Sequence, residues 1–140
     1  MSHPDELSEA ACAERLALHG TGRAKFVVAI EQGGPVGHAS LSPMGLRRIA
    51  HVVRLDMCVH LGHWRRGHGR AMLLHLTEWA RHHPDVHKIE LLVRSTNLPA
   101  VGLYERAGFR VEGRLVDRVR RTDGTFVDDL AMAHFPKHAP

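Results

Sequence analysis

Aromatic residues and cysteine are both scarce in this chain. Its 140 residues include one tyrosine, two tryptophans, four phenylalanines and two cysteines. Cys12 and Cys58 fall in an expected helix and an expected strand, with no CxxC and no Cys/His ligand spacing around them. Both read as packing residues, which excludes a disulfide framework or a zinc knuckle. No apolar run approaches the ~20 residues that cross a bilayer. Met1 to Gly20 is acidic and helical in pattern rather than basic then apolar, so no secretory leader is expected and a cytoplasmic setting is. Repeats, low-complexity tracts and linkers are missing too, which leaves a single domain over residues 1–140.

What the chain does have is ordinary core material and excess positive charge. Hydrophobic residues make up 44% and charged residues 24%, enough for a buried core at this length. The net charge is +4 with histidines neutral. Basic residues gather in two groups: Arg47, Arg48, Arg54, Arg65, Arg66 and Arg70, then Arg114, Arg118, Arg120 and Arg121. Such clusters attract polyanions of any kind, so charge alone does not choose between nucleic acid, an acidic membrane surface and a phosphorylated cofactor. Thirteen histidines invite a metal reading. However, His60, His63 and His68 lie in or beside a glycine loop and His82-His83 ends a helix, and none forms an i, i+4 pair with a nearby carboxylate. No metal is expected.

The order of elements follows from periodicity and punctuation. Asp5–His19 carries Leu7, Ala10, Ala11, Ala17 and Leu18 on a helical period and stops at Gly20. Phe26–Ile30 and Val36–Leu41 flank a Gly33-Gly34-Pro35 turn and form a hairpin. Ile49–Val59 alternates as a long strand, with Leu55, Met57 and Val59 on one face and Arg54, Asp56 and Cys58 on the other. Gly67–His83 is an amphipathic helix through Met72, Leu73, Leu76, Trp79 and Ala80. Lys88–Arg94 is apolar enough for a central strand. Pro99–Ala107 is a short helix opened by proline and closed by Gly108. Val111–Arg121 and Phe126–Ala133 make a last hairpin around Asp123-Gly124. Strand, helix, strand from Ile49 to Arg94 is one right-handed crossover, so the fold class is α/β: a mixed, mostly antiparallel sheet with a central parallel pair and helices on both faces.

Two segments carry chemistry. Between Val59 and the following helix lies HLGHWRRGHG, in which Gly67 and Gly69 let the backbone bend close to a ligand. The first helical turn offers N–H groups with no intrahelical partner, and Arg65, Arg66 and Arg70 add positive charge, so a pyrophosphate fits there. The same glycines are also compatible with a plain tight turn among solvated arginines, and neither the Rossmann fingerprint nor the P-loop is present. The second segment is NLPAVGLYERAGF, Asn97 to Phe109. Tyr104 has a phenol that stays protonated at neutral pH and can give a proton to a departing thiolate or alkoxide. By itself it reads first as a core aromatic of a short packing helix, and Asn97 reads also as a helix cap.

Taken together, these segments resemble the GNAT superfamily of acyl-CoA-dependent N-acetyltransferases, from about Phe26 to the C-terminus. The family's phosphate-loop pattern, Gln or Arg, two residues, Gly, one residue, Gly or Ala, fits in two registers: Arg66, Gly69 and Ala71, or Trp64, Gly67 and Gly69, the second keeping the usual distance from the strand. KIELLVRSTNLPAVGLYERAGFRVEGR and DGTFVDDLAMA resemble the branch acting on amino acids and other small amines, and that branch is also similar to enzymes acting on polyamines or ribosomal protein N-termini. The resemblance implies acetyl-CoA as co-substrate, held by Trp64, Arg65, Arg66, Gly67, His68, Gly69, Arg70 and Ala71. It further implies that the pantetheine pairs with Met57, Cys58 and Val59, and that Asn97 contacts the cofactor. Tyr104 takes the position of the general acid, and Asp56 or, as a second candidate, His51 that of the base. A homodimer through the closing hairpin is implied as well. Family members normally open with a strand before the first helix; this sequence starts at the helix, so that strand is expected to be missing or replaced by a partner's. The activity so implied is direct acetyl transfer to a primary amine of a small molecule. The alternatives are a protein N-terminal or lysine acceptor, a non-catalytic acyl-CoA sensor, and nucleic-acid binding, which the single exposed-looking aromatic among the arginines disfavours.

Overall fold

The computed structural model describes residues 24–64 and 66–138. The helix expected over Asp5–His19, with Cys12 in it, and Arg65 of the glycine loop lie outside these residues. Strands β1 (Lys25–Glu31) and β2 (Gly34–Pro43) form the expected hairpin. Its two turn residues, Gln32 and Gly33, take φ of 52° and 82°, the left-handed pair that a tight two-residue turn needs. Strand β3 (Val52–Val59) starts three residues later than the alternation suggested. Ile49 instead closes a 3-10 turn, its N–H donating to the Leu46 carbonyl (3.1 Å) while Ala50 donates to Arg47 (3.2 Å). The physical reason is a missing neighbour on the β2 side: that ladder ends at Pro43↔Val53, so Arg47–Ala50 bonds locally, while the His51 carbonyl accepts the His87 N–H (2.9 Å) and the Lys88 N–H (3.3 Å).

Helix α1 (His68–His82) buries Met72, Leu73, Leu76 and Ala80, the stripe read from the sequence, with Trp79 partly buried beside them. Strand β4 (Lys88–Arg94) follows, then helix α2 (Leu98–Arg106), then β5 (Arg110–Arg120) and β6 (Phe126–His134). Asn97 caps α2, its side-chain oxygen accepting the Ala100 N–H at 3.3 Å, and Pro99 sits in the first turn. Gly124 in the final hairpin takes φ of 89°, and the Asp123 carboxylate accepts the Thr125 N–H at 2.9 Å.

The six strands run in the order β1-β2-β3-β4-β6-β5, and every neighbouring pair is antiparallel except β3–β4. This is the mixed sheet with a central parallel pair that the element order implied. Helices α1 and α2 touch each other: a Cβ on Gly69 would stand 3.3 Å from Leu103 Cδ2. The largest fully buried side chains are Phe109, Leu41, Leu73, Leu76, Ile89, Met132, Val53 and Val86, drawn from β2, β3, α1, β4, β6 and the segments flanking β4 and β5. Phe109 meets Tyr104 edge-on (5.8 Å between centroids) and His134 (5.2 Å), so it joins α2 to β6. Phe109→Ala is expected to destabilise the fold by about 3–5 kcal/mol, the usual cost of emptying a buried aromatic site. Urea unfolding would measure it, and a loss under 1 kcal/mol would show that the neighbours collapse into the space.

Candidate active site

The parallel pair is short. β3 and β4 are in register only at Val52↔Lys88, Val53↔Ile89 and Arg54↔Glu90. Beyond that point each strand stays bound to its outer neighbour, β3 to β2 as far as Gly37↔Val59 and β4 to β6 as far as Arg94↔Asp129. The two therefore part into a wedge, and the β3 side of it is the stretch Leu55–Val59, which no longer pairs with β4. Met57 and Val59 are partly buried along this edge and Cys58 is buried.

The glycine loop lies just past the end of that strand. The Trp64 indole N–H donates to the Val59 carbonyl at 2.7 Å, and the His60 N–H to Val36 at 2.8 Å, so the loop is tied to the sheet on both sides of its first turn. Gly67 is the N-cap of α1 with φ of 84°, a left-handed conformation that costs other residues about 1–2 kcal/mol. The first helical bond runs from Ala71 N–H to Gly67 carbonyl (3.0 Å), which leaves the N–H groups of His68, Gly69 and Arg70 without an intrahelical acceptor. Gly69 packs where any side chain would press on Leu103 (3.3 Å) and the Met57 methyl (3.5 Å). Strand edge, loop and α2 converge at this glycine.

Tyr104 projects from α2 into the core and is 7% exposed. Burial, helped by the negative charge of Asp56, pushes its phenol up to about 12. The side chains named from the sequence as acid and base are thus brought within electrostatic reach of each other. His51, the other candidate base, precedes β3 at its paired end, where its ring lies 5.8 Å from that of His87. Asn97 is at the N-cap of α2, directly after the wedge strand β4 and its Ser95-Thr96 turn.

Charge is distributed differently from the sequence expectation. Arg66 bonds the Glu31 carboxylate (Nη1 to Oε1, 2.6 Å), which His63 and His68 also contact. Together, Arg66 first and His63 second, they hold that carboxyl down at about 2. Glu31 was not singled out from the sequence: it lies 35 residues from Arg66, and its one signal is a charge ending an apolar strand before a Gly-Gly-Pro turn. The second basic group is partly occupied as well. Arg114 bonds Asp128 (2.6 Å), Arg118 lies 3.9 Å from the buried Asp129, and Arg120 covers the Phe126 ring.

Comparison with known proteins agrees with this geometry. The acetyltransferase (GNAT) family profile matches residues 2–109, and the chain belongs to that family of N-acetyltransferases. It is 32% identical over 109 residues to the L-amino acid N-acetyltransferase AaaT of Escherichia coli, a match covering 78% of this chain and 67% of the relative. Among solved structures it superposes on a ribosomal-protein-alanine N-acetyltransferase from Brucella melitensis at 25% identity and a TM-score of 0.80, covering 92% of this chain and 79% of the other. A phosphinothricin acetyltransferase from Sinorhizobium meliloti in complex with acetyl-CoA shares the fold, with a TM-score of 0.80 and 20% identity over 91% of this chain and 69% of that one.

Because the chain has one tyrosine, the Tyr104 phenol can be titrated directly by its ultraviolet absorption. Its ionisation is expected near pH 12 rather than 10.0, and Asp56→Asn should move it downward. The folded state keeps its proton longer than the unfolded chain does. Stability is therefore full below pH 10 and falls as pH rises from there toward 12, a loss that Tyr104→Phe should not show. A titration midpoint at 10 in the folded protein would place the phenol in solvent.

Proposed function

We propose that the protein transfers an acetyl group from acetyl-CoA directly to a primary amine of a small molecule, most closely an amino acid or its analogue. The observation that carries this reading is the convergence, at one end of the β3–β4 wedge, of an open strand edge, an uncapped helix N-terminus and the Tyr104–Asp56 pair. The similarity to an amino-acid acetyltransferase supports the choice of acceptor.

Each part then has a task. The N–H groups of His68, Gly69 and Arg70, with the Arg70 side chain, hold the pyrophosphate of the donor at the positive end of α1. The pantetheine lies in the wedge and pairs with Met57, Cys58 and Val59 as an added strand. A backbone N–H of that edge polarises the thioester carbonyl. The acceptor nitrogen attacks the carbonyl carbon, and the carbon–sulfur bond breaks. Tyr104 gives its proton to the departing thiolate, while the proton shed by the amine passes to Asp56 or to water it holds. A phenol that remains protonated to about pH 12 is always loaded for this step. Trp64 and Asn97 shape the site through the loop and the α2 cap. A cytoplasmic setting and a homodimer remain part of the reading, the dimer supported by the apolar residues that β5 leaves exposed, Val111, Leu115 and Val116.

A peptide N-terminus is the second acceptor to test, since one structural neighbour is a ribosomal-protein-alanine acetyltransferase. Calorimetric titration with acetyl-CoA should show micromolar binding that Gly67→Asp abolishes. A panel of amino acids, polyamines and short peptides then ranks acceptors by kcat/KM. Tyr104→Phe is expected to lower kcat by roughly 10²–10⁴-fold with little change in acetyl-CoA affinity. Equal turnover of variant and wild type from pH 6 to 10 would remove Tyr104 from the acid role, and absence of acetyl-CoA binding would overturn the reading as a whole.

A further inference from the structure

Outside the wedge, one cluster of side chains has the donors of a metal site. Glu31 ends β1, His63 closes the short 3-10 turn Leu61–His63, and His68 opens α1. His63 Nδ1 contacts Glu31 Oε2, His68 Nε2 lies 3.4 Å from the same oxygen, and the ligating atoms of all three are within 4.8 Å of one another. We infer that Glu31 Oε2, His63 Nδ1 and His68 Nε2 form a binding site for one divalent transition-metal ion of the zinc class.

The chemistry selects that class. Two imidazole nitrogens and one carboxylate oxygen suit a borderline ion such as Zn²⁺, Co²⁺ or Ni²⁺, whereas Mg²⁺ and Ca²⁺ require oxygen donors throughout. A tetrahedral ion with bonds of about 2.0–2.2 Å holds its ligand atoms about 3.3–3.5 Å apart. The present spacing is reached from there by side-chain rotations on the order of 1 Å. Both imidazole N–H groups now donate to the same carboxylate oxygen. An ion takes the place of those two protons, and each ring, ligating in its neutral form, then carries its one proton on the other nitrogen by a change of tautomer. The side chains of His63, His68 and Glu31 are 33%, 19% and 24% exposed, so an ion can enter and a water can fill the fourth position.

Two features bear on strength. Arg66 bonds the opposite oxygen, Oε1, at 2.6 Å, which fixes the carboxylate's orientation in the manner of an outer-sphere partner. Its positive charge also opposes a nearby cation, which weakens binding relative to a site without it. The site is structural. It joins the β1–β2 turn to the glycine loop, and none of its ligands is on the open edge of β3 or in α2. It does not depend on the proposed acetyl transfer and is tested without acetyl-CoA.

The experiment is Co²⁺ titration of the metal-stripped full chain followed by visible ligand-field absorption, then displacement by Zn²⁺ in a calorimeter. One equivalent should bind with the bands of a four-coordinate ion. His63→Ala and His68→Ala each keep the Arg66–Glu31 pair, and circular dichroism would verify their folding. Each should weaken binding at least the ~10-fold that loss of even an outer-sphere partner costs. His82→Ala, which removes the pairing with Glu78 at the far end of α1, and His51→Ala should leave affinity unchanged. Absence of the bands in the wild type, or binding undiminished in both His63→Ala and His68→Ala, would overturn the site and leave the cluster as a hydrogen-bonded latch.

Discussion

The structure turns on how briefly β3 and β4 stay together. Each is committed along its whole length to an antiparallel partner on the outside, and they share only three register positions at their starts. Sheet twist then carries the two halves apart, because neighbouring strands rotate by roughly 20–25° relative to one another and no further hydrogen bonds resist it. Helices α1 and α2, which follow the two parting strands, meet at Gly69, where a Cβ would stand 3.3 Å from Leu103 and 3.5 Å from the Met57 methyl. Backbone pairing, helix placement and one missing Cβ are thus a single arrangement.

Electrostatics follows from that arrangement rather than from net charge. Arg66 is drawn to Glu31 and Arg114 to Asp128, so around the glycine loop the fixed dipoles at the N-terminus of α1 count for more than those two side chains do. In the same way the Tyr104 phenol is set by burial: a phenol against Phe109 and under the influence of the Asp56 carboxylate keeps its proton where a solvated one would give it up. Both effects are local, and neither is visible in a count of basic residues.

Much of this was legible in the sequence. The strands and helices from Lys25 onward follow apolar period and glycine or proline punctuation, and Lys88–Arg94 matches residue for residue. Ile49–His51 was misjudged because alternation reports which face a residue would take, not whether a strand lies alongside. Tyr104 and Asp56 were named from motif and chemistry, but their mutual influence depends on β3 and α2 folding against each other. Glu31 escaped because local spacing cannot register partners 32, 35 and 37 residues away, and the same distance hid the reorientation of Arg66. The histidines of the loop looked unpaired for want of an i, i+4 neighbour, when their carboxylate came from another strand.

The loop that opens α1 is fastened at several points: the Trp64 indole to the carbonyl of Val59, the backbone of His60 to Val36, and His63, Arg66 and His68 to Glu31. A segment held in this way has little conformational freedom left to surrender when a polyanion arrives. Association should consequently carry a small ordering penalty, so that its heat arises from new hydrogen bonds and released water rather than from folding of the loop. Weakening these fastenings would leave every contact to the ligand in place and still lower affinity, through entropy alone.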